Sequence, residues 1–386
     1  MALDPETLNA LIDTVRRFVR ERLVPLETQV AHEDRIPPDI IDEMRALGLF
    51  GMTIPEAFGG LGLNTEEECR AVMELGWTSP AFRSVIGTNN GIGSQGLVMD
   101  GTETQKAHYL PKMASGEIIG SFALTEPDAG SDAGSLTTQA RAERGGYVIN
   151  GTKRFITNAP QAHLFTVFAR TDPTRRDSHG VSAFLVDAAT PGITLGPRNR
   201  KMGQQGAHVC DVIFDGCWVP ERALLGGPAN LNKGFLTAMK TLDRGRLHIS
   251  ALAVGCAERL ITDSLNYALE RKQVGQAIAQ FQLIQAMLAD SRTEAYAARC
   301  MVIDAARRRD AGEPVTMLAS CSKLFASEMV GRVADRAVQI FGGAGYMEEA
   351  GVERFYRDVR LFRIYEGTSQ IQQTLIARNM IRVAGD

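Results

Sequence analysis

Glu366 is the carboxylate in this sequence whose neighbours best suit it to chemistry. In Ile364-Tyr365-Glu366-Gly367-Thr368-Ser369-Gln370 it follows an aliphatic and an aromatic side chain and precedes a glycine. That setting suits a base in an apolar pocket, where burial raises the carboxyl pKa toward the value needed to remove a weakly acidic proton. A plainer reading of the same residues is a glutamate near a helix N-terminus. A second stretch, Phe122-Ala-Leu-Thr-Glu-Pro-Asp-Ala-Gly-Ser131, reads as a strand end running into a turn of hydroxyls and small residues. Such a turn can offer N–H and hydroxyl donors to a ring system or a phosphate, although ordinary polar turns share its composition. In a third, Phe155-Ile-Thr157-Asn, an aromatic and a hydroxyl at alternate strand positions share a face. They could cover and hydrogen-bond a flat cofactor, while core packing is the better account of Phe155 taken alone. Gly91, Gly93 and Gly96 spell GxGxxG, but no strand precedes them and no βα alternation exists. They read as glycines that let helices pack closely, not as a dinucleotide loop.

Composition bounds what these groups can belong to. The chain has 386 residues, which at about 150 residues per domain allows two to three domains. With 42 basic and 45 acidic residues it carries a formal charge of -3, which argues against a general nucleic-acid binder. Cys69, Cys210, Cys217, Cys256, Cys300 and Cys321 form no CxxC pair and read as thiols in a reducing compartment. Six dispersed histidines and no HExxH predict no metal. No apolar run approaches the roughly 18 residues of a membrane span, so no membrane insertion is expected. The N-terminal arginines are interspersed with Glu6, Asp13 and Glu21, which predicts a surface helix and a cytoplasmic protein without a targeting segment. If the chain is a mature eukaryotic one, the mitochondrial matrix is the corresponding location.

The elements that must position these groups follow from periodicity. Residues 6 to about 118 are helical: Leu8, Leu11, Ile12, Val15, Val19 and Leu23 make one apolar stripe, with Pro25 able to bend it. From about 119 to 225 the pattern changes to short alternating strands, with turn signals at Arg144-Gly145-Gly146 and Asn150-Gly151. Strands are predicted at Leu164–Arg170, Val181–Val186, Ile193–Leu195 and Val209–Phe214, which gives a compact β-barrel or sandwich. Beyond about 230 long helices return, over Asn232–Arg271 with irregularities at Gly245 and Gly255, over Phe281–Arg309 and over Thr316–Phe341. The expected fold is α+β and multi-domain: a helical domain at 1–118, a β domain at 119–228 and a helical, four-helix-bundle domain at 229–386.

The three stretches, with Ile54-Pro-Glu-Ala-Phe-Gly-Gly60, Leu269-Glu-Arg271-Lys-Gln273 and Gln339-Ile-Phe-Gly-Gly343, resemble the acyl-CoA dehydrogenase family in wording and order over nearly the whole chain. The resemblance implies that family's α, β, α fold and FAD as cofactor. It implies removal of the α-proton and β-hydride of an acyl-CoA thioester, giving the trans-2-enoyl product, in fatty-acid or amino-acid catabolism. Glu366 would take the α-proton, and flavin N5 the hydride; the Glu366 N–H and a ribityl hydroxyl would hold the thioester carbonyl. Some members place the base before the Arg of a Leu-Asp-x-x-Arg stretch; here that position is Gly245, which leaves Glu366. By the same carry-over Phe122, Leu124, Thr125 and Ser131 would border the flavin, and Phe155 and Thr157 would lie against its ring. Arg271, Gln273, Phe281, Gln282, Gln339, Gly342 and Gly343 would hold the FAD of a neighbouring subunit, and Thr368 and Gln370 would complete the site. Substrate contacts would come from Ser131, Asp243, Arg246, Tyr365 and Gly367. Shared FAD implies a homotetramer, a dimer of dimers, with an electron-transferring flavoprotein as acceptor.

Arg83, in Ser79-Pro-Ala-Phe-Arg-Ser84, matches an arginine with which glutaryl-CoA dehydrogenases grip a distal carboxylate, so a dicarboxylyl-CoA is an alternative substrate. A structurally paired or exposed arginine is the competing reading. The motif Glu-Gly-Thr-Ser-Gln is the wording of short- and medium-chain members, and the acyl group stays open. An acyl-CoA oxidase, or a CoA- or flavin-binding protein without catalysis, are the remaining alternatives. The oxidases carry a further C-terminal domain, and the intact Glu366, Thr125, Arg271 and Gln370 set disfavours a non-catalytic protein.

Overall fold

Asp4 opens the first helix, its carboxylate accepting from the N–H groups of Glu6 and Thr7 at 3.0 Å. The computed structural model describes residues 2–175 and 177–385. Helix α1 (Pro5–Phe18) buries the Val15 and Phe18 face of the predicted stripe. A π turn at Val19–Leu23 and a 3-10 turn at Val24–Leu26 then carry the chain past Pro25, which has no N–H to donate, into α2 (Glu27–Glu33). The proline thus changes the kind of turn without ending the helical segment. Helices α3 (Pro38–Ala46), α4 (Thr65–Leu75), α5 (Pro80–Asn90), α6 (Gln95–Asp100) and α7 (Glu103–Ala114) complete the first helical part. Of the GxGxxG glycines, Gly91 and Gly93 sit at the turn from α5 to α6, and Gly96 lies in α6, where a Cβ would come within 3.2 Å of Thr237 on a later helix. A Cβ on Gly93 would lie 2.8 Å from the Thr88 carbonyl and 3.2 Å from the Gly120 backbone, so the close-packing reading stands.

The middle of the chain is a curled sheet of β1 (Gly120–Ala123), β2 (Gln139–Glu143), β3 (Gly146–Thr157), β4 (Leu164–Arg170), β5 (Val181–Asp187), β6 (Ile193–Leu195) and β7 (Val209–Pro220). The strand order is β1-β4-β2-β3-β7-β6, with β5 antiparallel to β4. Arg144-Gly145 makes the β2–β3 hairpin turn as predicted, both residues at positive φ. Asn150-Gly151 does not turn the chain. It lies inside β3, where the register against β7 slips between Ile149 and Gly151, a bulge that brings Gly151 onto Thr138. A second slip, between Lys153 and Ile156, proves important for the site.

The second helical part begins with α8 (Gly234–Glu270), followed by the β8 (Lys272–Gln273) and β9 (Gln276–Ala277) hairpin. Helices α9 (Gln282–Asp310), α10 (Thr316–Phe341), α11 (Val352–Val359) and α12 (Ser369–Gly385) follow, with α10 packed on α8, α9 and α12 as the bundle requires. Gly245 and Gly255 do not interrupt α8, which runs as one helix of 37 residues. Gly255 lets α8 cross α4 backbone to backbone, since a Cβ there would fall 2.1 Å from the Met73 carbonyl. The helical parts share one core, in which Val72 and Leu75 of α4 join Leu252 and Val254 of α8 and Met329 and Val333 of α10. A further core, with Leu110, Phe168, Leu185 and Ala238, seats α7 and α8 against one face of the sheet.

Candidate active site

The site forms where the turn before α12 meets the cleft between sheet and bundle. Glu366 and Gly367 both take left-handed backbone conformations, φ +57° and +87°. The glycine does so freely, whereas the glutamate is strained there and must be held. Their carbonyls are held from the bundle side. Gln372 Nε2 donates to the Glu366 and Gly367 oxygens at 3.1 and 3.0 Å, and Lys323 Nζ donates to the Gly367 oxygen at 2.7 Å. The Glu366 side chain points the other way, at Gly245 of α8, where a Cβ would fall 2.5 Å from Oε2. Oε2 is sealed from solvent and has no hydrogen-bond partner among the described residues, although the residue opens on a cavity. Burial raises the Glu366 pKa, with Arg83, Arg246 and Lys323 pulling in the opposite direction.

Two cavities meet at Ile92, Thr157, Tyr365 and Glu366. The larger, about 1150 Å³, is a cleft that gathers Phe122, Leu124, Thr125, Ser131, Phe155, Thr157, Asp243, Arg246, Tyr365, Glu366 and Gly367 from four separate stretches of chain. Helix α8 supplies its side through Phe235, Met239, Leu242 and Arg246, a spacing that keeps one face toward the cleft. Arg246 is buried and donates to Asp243 at 2.5 Å, and Asp243 also accepts from Thr316 at 2.8 Å. Phe155 is not core. It is 58% exposed at φ +57°, turned out by the second β3 bulge, with the Arg154 guanidinium 5.0 Å from its ring centre. The predicted pairing of Phe155 and Thr157 on one wall therefore holds, and the core-packing account of Phe155 does not.

The loop after β1 owes its shape to a pair that sequence reading passed over. Glu126 accepts from the Thr137 N–H at 2.6 Å and the Thr138 N–H at 2.9 Å, and pairs with the fully buried Lys153 at 2.8 Å. Lys153 also donates to the Leu124 carbonyl at 3.1 Å, so the pair ties loop to strand. Burial alone would raise the Glu126 carboxyl, but Lys153 and these donors hold it at about 2.

The smaller cavity, about 60 Å³, is lined by Arg83, Gly87, Gln204, Gly245, His248, Tyr365 and Glu366 among others. Arg83 is buried, and its Nε donates to His248 Nε2 at 2.6 Å. His248 Nδ1 lies 2.7 Å from Glu68 Oε1, and Glu68 Oε2 pairs with Arg244 at 2.7 Å. Because Arg83 can only donate, Nε2 must accept and Nδ1 must carry the proton, which assigns a neutral imidazole. Burial and the nearby Arg83 push His248 down to about 4 against the pull of Glu68. The terminal nitrogens of Arg83 make no hydrogen bond among the described residues, and the Tyr365 hydroxyl is buried without a partner. Arg83 is thus both structurally tethered and presented to the cavity. None of His248, Glu68, Lys323 or Gln372 stood out in the sequence, since each acquires meaning from a partner far along the chain.

The remaining predicted residues lie elsewhere. Thr368 Oγ1 accepts from the Ile371 N–H at 3.2 Å and caps α12, while Gln370 is exposed on that helix. Arg271, Gln273, Gln282, Gln339, Gly342 and Gly343 are exposed at the far end of the bundle. There Phe281 joins a small core with Ile278 and Ile340, and Tyr267 stacks on Phe341 at 4.1 Å, so the two segments carrying these residues are neighbours.

Three family models match in succession: the acyl-CoA dehydrogenase N-terminal domain over residues 5–117, the middle domain over 121–217 and the C-terminal domain over 232–381. The human mitochondrial short-chain specific acyl-CoA dehydrogenase is 39% identical over 378 residues, covering 98% of this chain and 91% of its own. The butyryl-CoA dehydrogenase structure from Megasphaera elsdenii is 34% identical, covers 99% of both chains and has a TM-score of 0.94. A chain of the structure titled as the electron transferring flavoprotein of Acidaminococcus fermentans is 36% identical, with 99% of this chain and 100% of that one covered and a TM-score of 0.94. A chain solved as the FAD complex of PigA is 28% identical, with 98% of both chains covered and a TM-score of 0.93.

Proposed function

The chain belongs to the acyl-CoA dehydrogenase family, with FAD as its cofactor, and from that premise we propose that Glu366 removes the α-proton of an acyl-CoA thioester. The observation that carries this reading is the unpartnered Oε2 of Glu366, buried where the cleft meets the side cavity. The cleft residues fit a flavin. The Thr125, Thr157 and Ser131 hydroxyls make no hydrogen bond among the described residues, and Phe155 offers an exposed ring beside them. Bound there, FAD supplies the two-electron acceptor for the β-hydrogen.

The chain's own groups supply the proton chemistry. A desolvated carboxylate is a stronger base than one in water, and Arg83, Arg246 and Lys323 oppose that rise by favouring its ionised form. The Glu366 N–H makes no backbone hydrogen bond among the described residues. It is free to donate to the thioester oxygen, stabilising the enolate that forms as the α-proton moves to Oε2. Gly245 keeps the space between α8 and the carboxylate clear. Asp243 and Arg246 at the cleft wall are the groups for the CoA portion, and the narrow side cavity suits a short acyl group. Glu366→Gln is expected to keep FAD and to lose turnover by at least about 10³-fold, the usual scale for a lost general base. Near-normal turnover with an artificial electron acceptor would overturn the base assignment.

A second reading, a dicarboxylyl-CoA substrate, is supported by Arg83, which lines the side cavity with its terminal nitrogens unpaired among the described residues. It predicts a higher kcat/KM for an acidic acyl-CoA than for a neutral one of equal length, a preference that Arg83→Ala abolishes. Equal values in the unsubstituted enzyme rule it out. Either substrate reading takes an electron-transferring flavoprotein as acceptor, a cytoplasmic location, and a homotetramer in which Arg271, Gln273, Phe281, Gln282, Gln339, Gly342 and Gly343 hold the FAD of a neighbouring copy. The exposed apolar Val274, Leu283, Tyr346 and Met347 beside those residues support such an interface.

A further inference from the structure

The base sits on a strained turn, and the strain has to be held by something rigid. Glu366 occupies a left-handed conformation that costs a residue with a Cβ, and Gly367 continues it. The two carbonyls of this turn are directed into the bundle, and two side chains meet them there. Gln372 comes from α12, the helix that the turn itself begins. Lys323 comes from the N-terminal third of α10, across 44 residues of sequence, and is wholly buried. The single hydrogen bond of Lys323 among the described residues goes to the Gly367 carbonyl at 2.7 Å. An ammonium buried for that one contact is costly unless its charge is also used.

We propose that Lys323 is the positioning residue of this active site, fixing the Glu366–Gly367 turn through the Gly367 carbonyl while its charge supports the Glu366 carboxylate without touching it. The inference rests on Glu366 being the base. With both carbonyls held on the bundle side, the Glu366 N–H and carboxylate are left on the cavity side, where Oε2 faces Gly245. Lys323 forms no ion pair with Glu366 within 4.0 Å, so Oε2 stays free to accept a proton. The charged and titratable groups around the pair are Arg83 from α5, Arg246 and His248 from α8, Glu328 from α10, Lys201 from the loop before β7, and Tyr365. Burial lowers Lys323 to about 8, with Glu366 opposing that shift, so the side chain is still largely charged at neutral pH. A nearby cation favours the ionised carboxylate. Its removal therefore raises the Glu366 pKa, and the acid limb of kcat/KM moves to higher pH.

The test uses the FAD-loaded enzyme with Lys323→Met, which keeps most of the bulk but removes the charge and the donor. The expected result is bound FAD, kcat down by about tenfold or more with KM within about threefold, and an acid limb shifted up by about one pH unit. Lys323→Arg, which restores charge and donor, should return the limb toward its original position. Should Lys323→Met fail to fold or to hold FAD, Lys323→Gln keeps a neutral donor, and the upward shift must appear there. A folded, uncharged variant with an unshifted limb and unchanged kcat overturns the proposal, as does loss of thermal stability with the limb in place. Glu366→Gln measured alongside separates the two failures. If it still turns over, the base reading falls; if it is dead while the Lys323 variants behave like the parent, only the role of Lys323 falls.

Discussion

Gly245→Ala puts the seating of the base to its sharpest test, because it adds one methyl group and presses on one functional group. The new Cβ would stand 2.5 Å from Glu366 Oε2 and 3.1 Å from its carboxyl carbon, whereas ordinary contact begins at 3.4 Å. The carboxylate must therefore retreat by about an ångström, and it can, since the cavity lies open beside it. A displacement of that size at a reacting group is worth roughly 10²-fold in rate, or about 2.7 kcal/mol of transition-state stabilisation. The effect on folding runs the other way. Alanine in a helix interior is favoured over glycine by about 1 kcal/mol, which offsets the local crowding. The expected variant binds FAD, melts within a few degrees of the parent and turns over about a hundredfold more slowly with its acid limb displaced. Acyl-CoA turnover with an artificial acceptor, flavin absorbance of the purified protein and a thermal melt give the three readings. Turnover within about twofold of the parent, in a normally folded flavoprotein, would mean that Glu366 is not seated against Gly245 when it works.

Two further outcomes follow from the same geometry. Phe155→Ala removes a ring that is mostly exposed, so stability should change by less than about 1 kcal/mol while FAD dissociates more readily on dilution; unchanged FAD retention would remove Phe155 from the flavin wall. His248 is held neutral in the fold with its pKa lowered from 6.5 to about 4, so between those values the unfolded chain binds the extra proton and stability rises with pH. Acidification from pH 6.5 to 4 should cost about 3 kcal/mol through this group alone, and His248→Gln should flatten the denaturant-measured dependence in that window; an equal slope in the variant would contradict the neutral assignment.

Much of the fold is legible locally. The β4 and β6 limits fall where the strand pattern places them, and α10 spans the predicted Thr316–Phe341, because alternation and helical spacing record which face of an element is buried. The strand expected over Val209–Phe214 runs on to Pro220, and two further expectations failed where a glycine was read by its conformational habit. Gly255 and Gly245 were expected as irregularities in α8, yet both serve close approach, and Asn150-Gly151 makes a bulge where a turn was expected. A single sequence states that a glycine is there, not what presses against it.

The candidate site divides along the same line. Residue type and order were enough to single out Glu366, the hydroxyl-rich loop from Phe122 to Ser131 and the Phe155–Thr157 strand, because chemistry is carried by side-chain identity. What surrounds Glu366 comes from elsewhere in the chain: Gly245 from α8, the Lys323 ammonium from α10, and an Arg83–His248–Glu68 chain spanning α5, α8 and α4. Periodicity fixes the buried face of each helix but not the partner that face meets, and a buried charge is tolerated only through such partners. Sequence alone therefore determined which groups this protein could use. Packing decided which of them are desolvated, which are restrained, and where the buried Glu366 Oε2 points.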